Sequence, residues 1–231
     1  MDDMKYELMG TSNPGWTFTE ARIIQLTKMY NIMKTINYRL DYRDFQEVVN
    51  NKDNDLNPSK IRMFFPHLYH LGFIKEYQSI KFNPSVLFTE EGFHFFNYVI
   101  PIFSNREELE IEAKKTIEEI FSMFLCKGYL NLIKFEENRA YDLIMRFLKK
   151  YQKMDKIDFF IITTGVVKEE DDNYIDDLLN KKRNGTISFS EDIKRNVNAY
   201  GYMTPFLVQS KLISINDDIM KLGVNSKYIW R

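Results

Sequence analysis

Residues 19 to 36 place Ile23, Ile24, Leu26, Thr27, Tyr30, Met33 and Ile36 at spacings near one helical turn. The pattern predicts an amphipathic helix opened by Thr19 and Glu20, after a turn-rich stretch Ser12-Asn13-Pro14-Gly15. Tyr42 to Val49, carrying Phe45, Val48 and Val49, reads as a short second helix that stops at the polar break NNKDNDLN. Asn57-Pro58-Ser59 then opens a third, because an Asn cap accepts an orphan amide and Pro at the first helical position removes another. It is expected to run to Leu71 and to end at Gly72. Beyond it, GFIKEY, QS and IKFNPSVLFTEEG alternate and turn, which predicts two strands joined by a short loop.

Residues 104 to 125 begin SNREELEIEAKKTIEEI. A Ser cap, an acidic first turn and the later Lys114 and Lys115 agree with the helix dipole and predict a long helix joining two halves. Residues 138 to 152 predict another helix, while IDFFIITTG from Ile157 fits either a short helix or a strand. DNYIDDLLNKKRNG predicts a helix ending at Gly185. Ser190-Glu191-Asp192 then resembles a helix start, with the helix running through Tyr200 to a break at Gly201, and FLVQSKLISIN resembles a strand pair. The expected class is mainly α with small β-ribbons, an α+β chain.

Of 231 residues, 44% are hydrophobic and 15% aromatic, enough to bury a core and to exclude disorder as the main state. The single cysteine, Cys126, cannot form an internal disulfide, and no Cys/His set suits a structural zinc site, which points to a reducing cytoplasm. MDDMKYELMG lacks the basic start of a secretory leader. No apolar run reaches the ~20 residues of a spanning helix, FHFFNYVIPIF being short and broken by Pro101. A cytoplasmic chain with no membrane partner is therefore expected.

A formal net charge of -1 carries no global signal for nucleic acid, so the distribution matters more. From Leu56 to Lys81 the net charge is +3, and from Lys181 to Lys211 it is +4, whereas Lys168 to Asp177 is -5. Both basic windows coincide with an expected helix and ribbon, and could face phosphate. In the first, Ser59, Lys60, Arg62 and His67 are candidates for the exposed face, with Lys75 and Lys81 on the ribbon, while Ile61, Phe64, Phe65, Leu68 and Leu71 fit the buried one. In the second, Lys181, Lys182, Arg183, Ser190, Lys194, Arg195, Asn198 and Tyr202 are the candidates, with Ile193, Val197 and Tyr200 turned inward. Arg can read guanine and Asn adenine bidentately, while Lys and Ser hold phosphate.

Three helices followed by a two-stranded ribbon, with His70-Leu71-Gly72-Phe73-Ile74 at the turn and Phe88-Thr89-Glu90-Glu91-Gly92 at the end, resemble a winged-helix domain. The resemblance implies an N-terminal arm (1–18), a first winged helix (19–102), a connecting helical segment (103–137) and a second winged-helix-like unit (138–231). Leu-Leu-Asn-Lys-Lys-Arg-Asn and Ala199-Tyr200-Gly201-Tyr202 further resemble the DNA-recognition half of type IIS restriction and nicking endonucleases of the AlwI and FokI kind. That implies sequence-specific binding of double-stranded DNA within a restriction system. The separate nuclease domain of those enzymes has no counterpart before Trp230-Arg231, so catalysis and Mg²⁺ are expected on a separate nuclease subunit.

A metal-dependent nuclease centre needs carboxylates and a Lys on one sheet face. Asp192-Ile193-Lys194 and Glu112-Ala113-Lys114 have the spacing but fall in segments read as helical, and Asp158 lacks a properly placed carboxylate and Lys pair. His67 and His70 lack a third metal ligand, Cys126 reads as a small buried side chain, and neither GxxxxGK[ST] nor GxGxxG occurs. No catalytic residue, metal or cofactor is assigned to this chain. The alternatives are a plasmid or phage replication initiator or a transcriptional regulator with tandem winged helices; an endonuclease with its centre in residues 130 to 180; and a protein-interaction module docking through residues 169 to 177.

Overall fold

The computed structural model describes residues 6–12, 17–78 and 81–230. The turn expected at Asn13 to Gly15 and the Ser79-Ile80 step of the expected ribbon lie outside them. The described residues are mainly helical, with two small sheets among them. It divides into a central unit, Phe18–Leu132, and a terminal unit made of the N-terminal segment through Thr17 together with Ile133 onward. Among the described residues, no helix is long and apolar enough to cross a membrane.

In the central unit, α1 (Glu20–Lys34) begins where Thr19 accepts the Arg22 N–H, and buries Ile23, Leu26, Met29, Tyr30 and Met33 along one stripe. The cap satisfies a donor with no helical partner. Asp41 caps α2 (Tyr42–Lys52) in the same way. Asn57 and Pro58 open α3 (Pro58–His70), and all five residues expected on its inner face are buried.

Among the described residues, the expected ribbon is reduced to one isolated antiparallel bridge, Ile74 to Phe88, while Phe82 of its second strand bridges to Leu40, ahead of α2. Asn83-Pro84 interrupts the second strand: Asn83 accepts the Ser85 N–H and a 3-10 turn forms over Pro84–Val86, where Pro has no amide to give to a ladder. Thr89 then caps α4 (Glu90–His94), which continues as a π-helical turn, Phe95–Val99, into α5 (Ile100–Ser104). The long helix α6 runs Ile111–Leu132, beginning seven residues beyond the Ser104 start that the sequence suggested. Leu109 is extended (φ -86°, ψ 154°) and breaks the chain between a 3-10 turn at Arg106–Glu108 and α6. Stacked rings pair α5 with α6, Phe103 on Phe121 (3.8 Å), and the π-helical turn with the segment after α3, Phe95 on Phe73 (4.5 Å). Residues 103 to 132 therefore pack inside the central unit.

In the terminal unit, β1 (Tyr6–Leu8) precedes α7 (Arg139–Tyr151), α8 (Lys156–Val167) and α9 (Asp172–Arg183). IDFFIITTG is thus helical. Asp155 and Asp158 form a reciprocal capping box at the start of α8, whose residues from Asp158 to Gly165 are all buried. Where a helix was expected from Ser190, the chain forms β2 (Phe189–Ile193), parallel to β1 with a bulged register, Tyr6 opposite Phe189 and Leu8 opposite Ile193. The N–H of Lys194 donates to Leu8 O, and Met9 is held to buried α8 by its N–H on Thr164 Oγ1 (2.8 Å) and by the Thr163 hydroxyl on its carbonyl (2.8 Å).

The last helix, α10, therefore starts at Ala199 and absorbs Phe206 to Gln209, which had read as strand. Its inner face is Ala199, Met203, Phe206 and Leu207. Of the three residues expected to turn inward, Val197 is instead 56% exposed, and Ile193 and Tyr200 are half-buried. The hairpin follows as β3 (Ile213–Asn216) and β4 (Ile219–Leu222), joined by Asp217 and Asp218, both at positive φ, as a two-residue turn matching strand twist requires. Met154, between α7 and α8, bridges antiparallel to Met220 of β4.

Candidate nucleic-acid interface

The N-terminal half of α3 presents a polar face. Helical spacing puts Ser59 and Arg62 on the side opposite Ile61, Phe64 and Leu68, and both are exposed. Arg62 Nη2 donates to Ser59 Oγ (3.2 Å), and Lys60 Nζ donates to Asp55 O (2.7 Å). The first turn of α3 holds no acidic residue, so the helix dipole and these cations act in the same sense on an anion. Arg62 has no ion pair among the described residues. Lys75 and Lys81 are exposed beyond α3, Lys75 Nζ donating to Val86 O (3.0 Å).

His67 does not share this face. It lies three residues after Phe64 and four before Leu71, on the buried stripe. Burial pushes its pKa down to about 3, with the nearby His70 and Arg22 charges acting in the same direction, so near neutrality it is an uncharged core residue.

In the terminal unit the basic run at the end of α9 is paired, Lys181 at the surface and Lys182 and Arg183 to the start of α8. Lys181 pairs with Asp177 one turn earlier (2.7 Å). Lys182 pairs with Asp155 and with Asp158 (2.9 Å), and Arg183 grips Asp158, donates to Lys153 O (3.1 Å) and lies over the Tyr151 ring (4.1 Å). Burial by itself would raise the Asp155 carboxyl, but the Lys182 ammonium and the backbone N–H groups of Asp158 and Ile157 outweigh it and hold the group below its usual range. These contacts fasten α9 to the start of α8.

The remaining candidates gather near the start of α10. Arg195, Asn198 and Tyr202 are exposed, and Asn198 makes no capping bond with its side chain. Thr11, Ser12, Asn196, Val197, Asn198, Ala199 and Tyr202 line a hollow of about 220 Å³. Asn196, at positive φ, donates from Nδ2 to Gly10 O (3.1 Å), and Gly10 N–H donates to Arg195 O (2.8 Å). Thr11, Ser12 and Asn196 were missed in the sequence because no local pattern relates residue 11 to residue 196. Ser190 is half-buried, its Oγ accepting the Asp192 N–H, and Lys194 Nζ lies 3.8 Å from Glu7.

Asp192 lies on β2 with Lys194 just after it, so the divergence of helical directions no longer separates them. Among the described residues, however, no three His, Cys, Asp or Glu side chains gather as a metal-ligand set. No family model, no curated protein and no solved structure matches this chain.

Proposed function

We propose that the chain binds double-stranded DNA, with α3 of the central unit as the helix that meets the duplex. The observation that carries this reading is the exposed face of Ser59 and Arg62 on a helix whose first turn holds no acidic residue, with the half-buried Lys60 in the same turn and the exposed Lys75 and Lys81 beyond the helix. Arg62 would read a base edge, and the lysines and serine would hold phosphates.

Two features of chain order support a winged-helix reading of both units. In the central unit the order is α1, the Leu40 bridge, α2, α3, then the Ile74 and Phe88 bridge. In the terminal unit it is α7, the Met154 bridge to β4, α8, then α10 and the β3–β4 hairpin, with α9 and β2 inserted before α10. α10 itself contains no charged residue, so phosphate contact falls to the central unit, while Arg195, Asn198 and Tyr202 are suited to base contacts. The sequence resemblance extends the proposal to a recognition subunit of a restriction system whose cleavage is supplied by another chain.

The test is selection of a randomised duplex pool by the purified chain with Mg²⁺ present, with the products sequenced for enrichment and for cut ends. Enrichment of one site without cuts supports a recognition subunit. Cuts at a fixed offset would assign the chemistry to this chain, and absence of any enrichment would remove the proposal.

A further inference from the structure

The central unit holds a concave feature of its own, which includes Lys75 but no residue of α3. Tyr30 and Lys34 of α1, Lys75, Ser85 and Val86 at the interrupted ribbon, Phe88, Thr89, and Glu90 and Phe93 of α4 line a cleft of about 330 Å³. That volume falls in the range of small-molecule sites. Its aromatic surface has a fixed floor and a free rim. Tyr30 and Phe88 are buried and meet edge to face (4.7 Å), and Phe96 stacks behind Tyr30 (5.1 Å). Phe93, by contrast, is 45% exposed.

The cleft's positive charge is unspent. Lys34 Nζ reaches only Asn97 Oδ1 (3.5 Å) and the Tyr30 ring (5.3 Å to its centre), and Lys75 Nζ donates to Val86 O (3.0 Å). Neither lysine has a carboxylate partner within ion-pair distance among the described residues, although Glu90 lines the same cleft. The hydroxyls are already committed, Ser85 Oγ to Asn83 Oδ1 and Thr89 Oγ1 to Gly72 O. The cleft therefore offers one exposed aromatic ring, Phe93, above a buried aromatic floor, with two ammonium groups and one carboxylate acceptor.

We propose that this cleft binds a nucleoside monophosphate moiety, its base against Phe93 and the Tyr30–Phe88 floor and its phosphate at Lys34 and Lys75. Aromatic faces accept any base by stacking, and an ammonium neutralises phosphate without reading sequence. Glu90 can accept from a sugar hydroxyl or an exocyclic amine. The same chemistry is presented by a free nucleotide and by an unpaired nucleotide within a strand. The proposal does not depend on duplex binding by α3.

The test uses the full chain and two fluorescent probes: 1,N6-ethenoadenosine monophosphate, read by anisotropy, and a single-stranded trinucleotide carrying 2-aminopurine, too short to present a duplex. Saturable binding of the mononucleotide supports a free ligand, and binding of the trinucleotide alone supports a nucleotide within a strand. Phe93→Ala and Lys34→Gln are each expected to weaken the bound probe by about tenfold. Lys115→Gln, the same charge change on exposed α6, is expected to bind as the parent does. Because Phe93 and Lys34 are exposed, both variants are expected to keep the parent melting temperature. No saturation with either probe, or affinities within twofold of the parent in both cleft variants, overturns the proposal. Neither probe requires a duplex, so failure of duplex binding at α3 leaves these results readable.

Discussion

Asp158 and Arg183 form a two-point fork, Nη1 to Oδ1 at 2.9 Å and Nη2 to Oδ2 at 3.1 Å, around a carboxylate that is only 4% exposed. The pair joins the start of α8 to the end of α9, and Lys182 shares the same carboxylate. Asp158→Asn leaves two cations facing a neutral amide, whose oxygen can still accept the Asp155 N–H of the α8 capping box. Because Arg183 and Lys182 still reach water, the expected loss is about 2–3 kcal/mol, below that for a fully enclosed pair. Asp177→Asn, at an exposed pair one helical turn apart, is expected to cost less than about 0.5 kcal/mol. Urea unfolding of the two variants checks the contrast, and equal midpoints would show that the fork contributes nothing.

His67 makes stability depend on pH. Its folded pKa is depressed to about 3, against about 6.5 in an unfolded chain. The unfolded state therefore binds the extra proton first, and stability present above pH 6.5 falls as the pH drops from there toward 3. At pH 5 the expected loss from this one group is about 2 kcal/mol. Denaturant midpoints at pH 7 and pH 5 for the parent and for His67→Gln test this: the parent's midpoint should drop further than the variant's.

Gly92 and Gly201 predict opposite responses to the same substitution. A Cβ on Gly92 would fall 1.9 Å from the Phe73 carbonyl oxygen, which is backbone and must move, whereas a Cβ on Gly201 meets nothing within 4 Å. Gly92→Ala should destabilise by about 1–3 kcal/mol. Gly201→Ala, within α10, should stabilise by about 0.5–1 kcal/mol. Thermal melts of both variants read the sign directly.

Arg62→Ala is expected to weaken duplex binding and to lower the slope of log affinity against log salt by about 1 if its guanidinium meets phosphate. Contact with a base edge would instead relax sequence preference with the slope kept. Arg183→Ala, which removes an internal tie, should lower the melting temperature. An unchanged affinity and site preference in Arg62→Ala would remove α3 as the reader.

The elements legible in the sequence are those whose signals are local. Thr19, Asn57 and Pro58 mark their own helix starts, and the stripes from Ile23 to Met33 and from Ile61 to Leu68 need only a window of two or three turns. Two of the failures involve a partner outside such a window. Ser190-Glu191-Asp192 imitates a capped helix start, yet its backbone is taken by Tyr6–Leu8 at the other end of the chain. Net charge behaved likewise: Lys182 and Arg183 counted as free cations until Asp155 and Asp158, on a segment read ambiguously, proved to hold them. His67 could have been placed by its spacing from Phe64 and Leu71 alone. The exposed pair Ser59 and Arg62 was legible for the converse reason, since it depends on one helix and its cap, whereas Lys60, expected beside them, is half-buried.

The parallel pairing of β1 with β2 also fixes an order of events during synthesis. Tyr6–Leu8 leaves the ribosome first, but its partner Phe189–Ile193 follows only after the whole central unit has been made. At common elongation rates, the roughly 180 intervening residues take about 10–40 s. Over that interval the uninterrupted central unit can complete its core, while the N-terminal strand waits as an unpaired edge. The terminal unit is therefore the later of the two to close, because its parallel pair needs both ends of the described chain.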